Sequence, residues 1–319
     1  MEFMKKIFYT SIASLLFCAC SNEVEQIESA KKGVELTMSA TIGKSAETRT
    51  TYTRETVGMT VDWEAEEAIT LISFDDSGIT AIDNFSSSGD AGREKAEFTG
   101  TWNGNAGDKV ICLYPALSTT AGASMFSATI GDASIAFTYP AHSPFKNLAS
   151  LKNWDVMIGD VYINGTEASV SLNRQIALFE LSLSGGWRDS PDYQQIEKLG
   201  IYAASGTEPV LFVNQGTITT TKNTYSGEIV PSSFQGSYYN TPLDYTLYKE
   251  ETIVFYYPVI ANGTLGIDDK FIFNCGRVAK YGYGGTAERF NADVIKTLTA
   301  PFTITPGNVY KFPHVDLGW

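Results

Sequence analysis

The residues of this sequence that could carry out chemistry are few and widely separated. The adjacent pairs Asp75-Asp76 and Asp268-Asp269 are of the type that binds Ca²⁺ or serves acid–base catalysis, although Asp is also a common turn residue. The two histidines, His142 and His314, do not belong to a cluster of metal ligands. Gly43-Lys44-Ser45 ends like a phosphate-binding P-loop, but the first glycine of that motif is absent. The sequence therefore predicts solvated turns at the Asp pairs, and no catalytic site, metal site or cofactor.

One cysteine has a predicted chemical role, as a site of lipid attachment. Lys5 and Lys6 form a short positive region, and the apolar stretch 7–19 that follows is too short to span a bilayer. It ends at Ala19 and Cys20, a junction that resembles the lipobox of bacterial lipoproteins, in which a peptidase cuts after a small residue and the next cysteine carries the lipid. Cys18 is a competing candidate that would need cleavage after a large residue, and a plain secretory signal is the other alternative. We predict a signal peptide over residues 1–19 and lipidation of Cys20.

The stretch after the lipidated cysteine predicts a protein held at the outer membrane and facing outward. Residues 20–32 are polar and acidic without a periodic apolar face, which is typical of a flexible tether. The acidic residues resemble the surface-export signal of some Gram-negative gut lipoproteins. A net charge of −13 argues against nucleic acid as a partner, because such a surface repels phosphates. The sequence predicts a lipid-anchored protein rather than a membrane-spanning one.

Apolar and polar residues alternate along most of the chain from residue 33 onward, which is the pattern of half-buried β-strands. The inward residues of the first such strand are predicted to be Val34, Leu36, Met38, Ala40 and Ile42. Short helices are predicted only as candidates, at residues 191–198 and 288–296. The sequence predicts an all-β fold with two tandem antiparallel β-sandwich domains, over residues 33–174 and 175–319.

The two cysteines beyond the signal peptide, Cys112 and Cys275, lie far apart in different predicted domains. A disulfide framework would need denser pairing than this. We predict two buried free thiols.

Five short segments carry a resemblance to a known family. They are residues 48–52 (Thr-Arg-Thr-Thr-Tyr), residues 61–74, which begin Val-Asp-Trp, residues 155–159 (Asp-Val-Met-Ile-Gly), residues 172–177 (Leu-Asn-Arg-Gln-Ile-Ala) and residues 306–310 (Pro-Gly-Asn-Val-Tyr). With these segments the chain resembles the fimbrillin family of lipoproteins, also described as Mfa-like or type V pilins. Glu66-Glu67 stands where the family has a Gly-Asp pair before a buried strand.

The resemblance implies two transthyretin-like β-sandwich domains and assembly with other fimbrillin subunits into adhesive surface fimbriae. In the family, an Arg-specific protease cuts after the first strand, which then leaves its domain, and a strand from another subunit takes its place. The matching residues here are Arg49 and Arg54 as cleavage candidates, after a first strand over residues 34–42. The alternative is that both arginines are ordinary exposed residues.

Residues 315–319 are the candidate donor strand for such an exchange. Val315, Leu317 and Trp319 alternate with His314, Asp316 and Gly318, so the three apolar side chains share one face. The alternative is that this segment closes its own domain.

A surface glycan-binding lipoprotein is the alternative function. Aromatic side chains on predicted loops could stack on sugar rings, although aromatic residues in an all-β chain more often belong to the core. The residues concerned are Trp187, Tyr193, Tyr238, Tyr239, Tyr281 and Tyr283.

Overall fold

The structure is a computed structural model. It describes residues 33–42, 63, 66–87, 94–118, 125–139, 146, 150–151, 154–185, 193–205, 208–209, 213–223, 225, 227–234, 242–248, 251–260, 264–280, 287–312 and 314–316. These residues contain many strands and no α-helix, so the all-β prediction is confirmed. In the same part of the chain, no helix has the length and hydropathy needed to cross a membrane.

The first nine strands lie before residue 175. They are β1 (Val34–Ile42), β2 (Ala68–Asp75), β3 (Gly78–Ser87), β4 (Lys95–Trp102), β5 (Lys109–Tyr114), β6 (Phe126–Ser127), β7 (Ser134–Thr138), β8 (Met157–Asn164) and β9 (Glu167–Arg174).

The remaining strands follow residue 175. They are β10 (Ile176–Ser184), β11 (Tyr193–Ser205), β12 (Glu208–Pro209), β13 (Val213–Thr219), β14 (Val230–Phe234), β15 (Pro242–Tyr248), β16 (Thr252–Ile260), β17 (Thr264–Leu265), β18 (Lys270–Lys280), β19 (Ala287–Thr297), β20 (Phe302–Thr303), β21 (Val309–Lys311) and β22 (Val315–Asp316).

Seven of the early strands form a closed sheet in the order β1-β4-β3-β2-β5-β8-β9. Strand β1 closes it, because β1 pairs with β4 in antiparallel fashion and with β9 in parallel fashion. The parallel pairing corrects the purely antiparallel prediction. β1 and β9 are separated by most of the N-terminal half, so no hairpin forces them to run in opposite directions. The pairs of β10 with β21 and β22 are parallel for the same reason.

The inside of the closed sheet is the first of three apolar cores, which we call the N-terminal core. It contains inward side chains from all seven strands of the closed sheet, together with Trp63. Its buried residues are Leu36, Met38, Ala40, Ile42, Trp63, Ile69, Leu71, Phe85, Ala96, Phe98, Trp102, Val110, Cys112, Tyr114, Met157, Ile163, Ala168, Val170 and Leu172.

A second core, the central core, lies on the other face of the closed sheet. It draws residues from both sides of the predicted domain boundary. Its buried residues are Ile72, Phe74, Ile79, Ile111, Leu113, Met125, Phe126, Ile135, Phe137, Tyr139, Leu151, Val156, Ile158, Ile176, Leu178, Val213, Ile218, Ile229, Tyr256, Ile260 and Val309.

One sheet also crosses that boundary. Its order is β14-β13-β7-β6, and β7 pairs with β13 from Gln215–Thr138 to Thr219–Ser134. The two halves are therefore joined by backbone hydrogen bonds as well as by a shared core. The division of the chain at Arg174 and Gln175 into two domains stays a prediction.

The third core, the C-terminal core, lies against the opposite face of β10 and β16. Along β10, Ile176 and Leu178 face the central core, whereas Ala177 and Phe179 face the C-terminal core. The buried residues of the C-terminal core are Ala177, Phe179, Leu181, Leu183, Ile196, Leu199, Leu247, Phe255, Tyr257, Val259, Leu265, Phe271, Cys275 and Ile304.

Both helix candidates are wrong. The described part of residues 191–198 lies in β11, and residues 288–296 lie in β19. Each strand pairs with β18 along its length, with one register shift between Ile196 and Lys198. Long-range pairing overrides the weak local helix preference of these two segments.

Cys112 and Cys275 are buried thiols, and neither forms a disulfide bond within the described residues, as the sequence predicts. They belong to different cores, the N-terminal core and the C-terminal core. Burial raises the pKa of the Cys112 thiol, because the apolar surroundings disfavour the thiolate.

Candidate functional site

The candidate site is strand β1 and the part of the N-terminal core that it covers. Leu36, Met38, Ala40 and Ile42 are buried in that core, at 2, 0, 0 and 7 % exposure, and Val34 packs against it while partly buried. The intervening residues Glu35 and Thr37 are exposed, and Ser39 and Thr41 are half-buried. The strand therefore has one apolar face directed inward and one polar face directed outward.

Both backbone edges of β1 are used. One edge pairs with β4 from Val34–Trp102 to Thr41–Lys95, and the other pairs with β9 from Thr37–Glu167 to Ile42–Leu172. Loss of β1 would uncover two rows of backbone donors and acceptors together with the apolar groove between β4 and β9. Such an opening is a template for another strand.

An aromatic cluster lies beneath β1. Met38 is paired with Phe98 of β4, and the Trp63 ring lies edge-on to Phe98 and to Tyr114, with centroid distances of 5.0 and 5.4 Å. Trp63 is 1 % exposed. It follows both cleavage candidates in the chain, so it would stay with the C-terminal product after a cut at either arginine.

Two fully buried tryptophans of this core differ in hydrogen bonding. The indole Nε1 of Trp102 donates to Ser73 Oγ at 2.9 Å, whereas Trp63 Nε1 has no acceptor among the described residues.

We expect Trp102→Phe to lower the free energy of unfolding by about 1–2 kcal/mol more than Trp63→Phe, because only the former leaves a buried hydroxyl without its donor. Parallel urea titrations of the two variants measure the difference, and equal losses would contradict it.

The residues before β2 adopt a turn that suits glycine. Glu66 has φ of 64°, in the left-handed region, at the position where the fimbrillin pattern has Gly. Both the backbone and the side chain of Glu67 are hydrogen-bonded. Its carbonyl accepts from Ser87 N at 2.9 Å, and its Oε1 accepts from Tyr114 Oη at 2.8 Å. A residue other than glycine thus occupies a left-handed backbone position before β2.

A buried ion pair joins two of the segments that carry the family resemblance. Arg174 Nε donates to both carboxylate oxygens of Asp155 at 2.8 and 2.9 Å, and Arg174 Nη2 lies 2.8 Å from Asp155 Oδ2. The side chains are 5 % and 0 % exposed. Gln175 N also donates to Val156 O at 2.7 Å. The pair fixes the point at which the chain leaves β9 and enters β10.

The sequence reasoning did not identify this pair, although a signal for it was present. Asp155 and Arg174 are each a single charge beside an apolar run, and a charge in a buried segment requires a partner. Their separation in sequence gives no indication of which partner each one takes.

The donor-strand candidate is described only in part. Val315 is half-buried, packs against the C-terminal core and pairs with Leu183 of β10, next to the pair of Ser184 and Asp316. His314 Nδ1 lies 2.9 Å from Ser182 Oγ. Within the described residues, this last segment is thus seated on β10 by a two-residue strand.

Several predicted site residues lie outside the described residues. These are the lipidation candidate, the two cleavage candidates and the end of the donor segment: Cys20, Arg49, Arg54, Leu317 and Trp319. The side chains of the six aromatic residues named for glycan binding also lie outside the described part of the chain.

The acidic pairs lie in turns, as predicted. Asp75 Oδ1 accepts from Ser77 N at 2.7 Å and from Ser77 Oγ at 2.6 Å, and these hydrogen bonds lower the pKa of the Asp75 carboxyl. Asp269 Oδ2 accepts from Gly266 N at 2.6 Å, and Asp268 has φ of 71°. Among the described residues, no group of three or more His, Cys, Asp and Glu side chains is arranged to hold a metal ion.

Contacts of the Tyr225 ring also link the two halves. Tyr225 packs on Phe74 with centroids 5.5 Å apart, and Lys109 Nζ lies 4.6 Å above the Tyr225 ring. Lys109 Nζ also donates to Asp160 Oδ2 at 3.2 Å. Burial raises the pKa of the Tyr225 hydroxyl, and the neighbouring Asp160 carboxylate raises it further.

Comparison with known proteins finds similarity at the level of solved structures. No protein-family model matches the chain, and no curated protein matches it. A candidate cell adhesion protein from Bacteroides eggerthii is 14 % identical with a TM-score of 0.42, over 91 % of this chain and 88 % of that one. One from Parabacteroides distasonis is 12 % identical with a TM-score of 0.47, over 89 % of each chain.

A third similar structure is the fimbrial anchor protein Mfa2 from Porphyromonas gingivalis. It is 6 % identical to this chain with a TM-score of 0.34, and the match covers 82 % of each chain.

Proposed function

We propose that this chain is a lipid-anchored subunit of adhesive surface fimbriae, and that it joins neighbouring subunits by exchange of its first strand. In this proposal a protease cuts after Arg49 or Arg54, β1 leaves, and a strand of another subunit enters the groove between β4 and β9. No enzymatic activity is part of the proposal. The molecule is held at the outer membrane through Cys20 before assembly.

The observation that supports the proposal most directly is the position of β1. It is the strand that closes the sheet, and it is paired on both edges. Its apolar face fills the N-terminal core. A cut in the segment between β1 and β2 would leave β1 attached to the rest of the molecule by non-covalent contacts alone.

The size of the apolar face sets the driving force for replacement. Burial of a large aliphatic side chain contributes about 1.5–3 kcal/mol, so Leu36, Met38 and Ile42 of β1 contribute on the order of 5–10 kcal/mol in total. An emptied groove loses this contribution together with the backbone pairs on both sides. Capture of an equivalent strand restores both.

The described pairing of the donor candidate, residues 315–319, with β10 is compatible with release of this segment. Within the described residues, strand β22 has two residues, Val315 and Asp316, which pair with Leu183 and Ser184 of β10. By contrast, β1 pairs with β4 over almost its whole length. In an empty groove of a neighbour, residues 315–319 would be paired on two edges, by β4 and β9, as β1 is.

The lipid attachment makes a separate prediction. Each methylene of an acyl chain stabilises membrane association by about 0.8 kcal/mol, so Cys20→Ala is expected to release the protein from membranes. Incorporation of labelled palmitate and membrane fractionation measure this, with Cys18→Ala as the matched control that keeps both label and membrane association. Label in the Cys20→Ala variant would contradict the assignment.

Limited digestion tests the exchange itself. An Arg-specific protease is expected to remove residues up to Arg49 or Arg54 from the purified protein and to produce oligomers that resist denaturant. The double variant Arg49→Lys/Arg54→Lys keeps both charges but removes both cleavage positions, so it should stay intact and monomeric. Mass spectrometry of the products and size-exclusion chromatography provide the measurements.

Two results of the digestion would contradict the proposal. The protein could resist cleavage at both arginines although the protease cuts elsewhere, or it could be cut there and remain monomeric with β1 still bound. Either result would leave β1 as an ordinary core strand.

A further inference from the structure

The inward positions of β1 differ in size, and one of them is small. Leu36, Met38 and Ile42 are large, whereas Ala40 offers only a methyl group and is nevertheless 0 % exposed. Its neighbours in register are Ala96 on β4 and Val170 on β9. Both neighbours belong to the same buried core.

A side chain larger than alanine at position 40 would have to enter the buried N-terminal core. Two alanines face each other there, and both are buried, at 0 and 4 % exposure, inside the closed sheet. Protein interiors are close-packed, and an added side chain must push neighbours away at a substantial free-energy cost. The backbone of an incoming strand cannot move aside, because β4 and β9 hold it on both edges.

We propose that the Ala40 position determines which strand this groove accepts and in which register; this rests on the strand exchange of the proposed function. The groove takes an extended segment with large aliphatic or aromatic side chains at the positions of Leu36 and Met38 and a small residue, or none, at the position of Ala40. The occupant is the segment of residues 315–319 from a second copy of this chain.

Three registers keep all three apolar side chains of residues 315–319 inside the groove when the segment runs parallel to β1. We call the requirement for a small residue at the position of Ala40 the size rule, and it selects one of these registers. Placing Val315 at the position of Leu36 would bring Trp319 onto Ala40, and placing Val315 at the position of Met38 would bring Leu317 there. Both registers overfill the small position. Placing Val315 at Val34 keeps the position of Ala40 free of a large side chain, because Leu317 then takes the position of Leu36 and Trp319 takes that of Met38.

Peptide binding to the protease-cleaved protein tests the rule. The probe is a fluorescein-labelled nonapeptide with the sequence of residues 34–42, and its affinity is measured by fluorescence anisotropy. The peptide carrying Ala40→Leu is expected to bind about 10- to 100-fold more weakly, in line with the cost of overpacking a core. The matched control carries Met38→Leu, which conserves volume and should bind within about 5-fold of the unmodified peptide.

A second measurement identifies the cause as steric. Val170→Ala in the full-length protein removes two methyl groups beside the position of Ala40. After cleavage, this variant should bind the Ala40→Leu peptide at least about 5-fold better than the unmodified protein does, since the extra volume is accommodated. Its affinity for the Met38→Leu peptide should be the same as that of the unmodified protein.

The outcomes separate the two proposals. If the unmodified peptide does not bind the cleaved protein, the strand exchange itself is wrong, and the size rule is wrong with it. If the unmodified and Ala40→Leu peptides bind equally, strand exchange stands and the size rule is overturned. Equal weakening of the Met38→Leu and Ala40→Leu peptides would also overturn it, because the groove would then discriminate without regard to the small position.

Discussion

Arg174→Met is expected to lower the free energy of unfolding by about 3–5 kcal/mol, because it leaves the Asp155 carboxylate buried without its counter-charge. Asp155 is 0 % exposed, and both of its carboxylate oxygens accept from Arg174 Nε. Methionine matches the length and much of the volume of the arginine side chain, so the loss reports the charge rather than a cavity. Urea-induced unfolding at neutral pH measures the change.

Two controls make the result specific to the buried pair. The double variant Asp155→Leu/Arg174→Met replaces both charges by apolar groups and should recover most of the lost stability. Lys109→Met breaks the exposed pair with Asp160, whose side chains are 30 % and 63 % exposed, and should cost about 1 kcal/mol or less. A loss in Arg174→Met no larger than that in Lys109→Met would contradict the role assigned to the pair.

The position of this pair explains why it matters to the whole molecule. It lies where β9, the last strand of the closed sheet, gives way to β10, the first strand that faces the C-terminal core. Gln175 N and Val156 O add a backbone hydrogen bond at the same place. The pair therefore fixes the connection between the two halves next to the central core that they share.

The individual strands could be predicted from the sequence because their signal is local. In β1 the alternation from Val34 to Ile42 reports directly which side chains point inward, and the burial pattern follows it. Such features need only the period of the strand or the chemistry of neighbouring residues.

The features that depend on distant residues could not be predicted. The parallel pairing of β1 with β9, the shared sheet of β7 and β13 and the contact of Asp155 with Arg174 all join segments that lie far apart in sequence. Residues 288–296 show the same limit in another way. Their composition allows a helix, and only the pairing with β18 makes them a strand.

The central core gives a physical reason why the molecule could lose β1 and keep its shape. Strands β2 and β5 have apolar residues on both faces: Leu71 points into the N-terminal core and Ile72 into the central core. The central core contains no residue of β1. One face of the closed sheet would thus stay packed after β1 leaves, which would hold the groove open for another strand.

Met38→Ala is expected to lower the free energy of unfolding by about 2–5 kcal/mol in the intact protein, because a fully buried thioether side chain is replaced by a cavity beside Phe98. Thr37→Ala, one residue earlier, is the matched control. Thr37 is exposed on the outer face of the same strand, so its loss should be about 0.5 kcal/mol or less. Thermal and urea unfolding of the two variants measure the difference.

Digestion of the same two variants and of the unmodified protein with the Arg-specific protease measures how strongly β1 is retained after cleavage. After cleavage at Arg49 or Arg54, the Met38→Ala strand should dissociate faster than the unmodified strand, since it gives up less burial on leaving. The Thr37→Ala strand should dissociate at nearly the unmodified rate. Equal dissociation of all three strands would mean that the inward face of β1 does not set its retention, and the groove would then have no basis for capturing a replacement through apolar contacts.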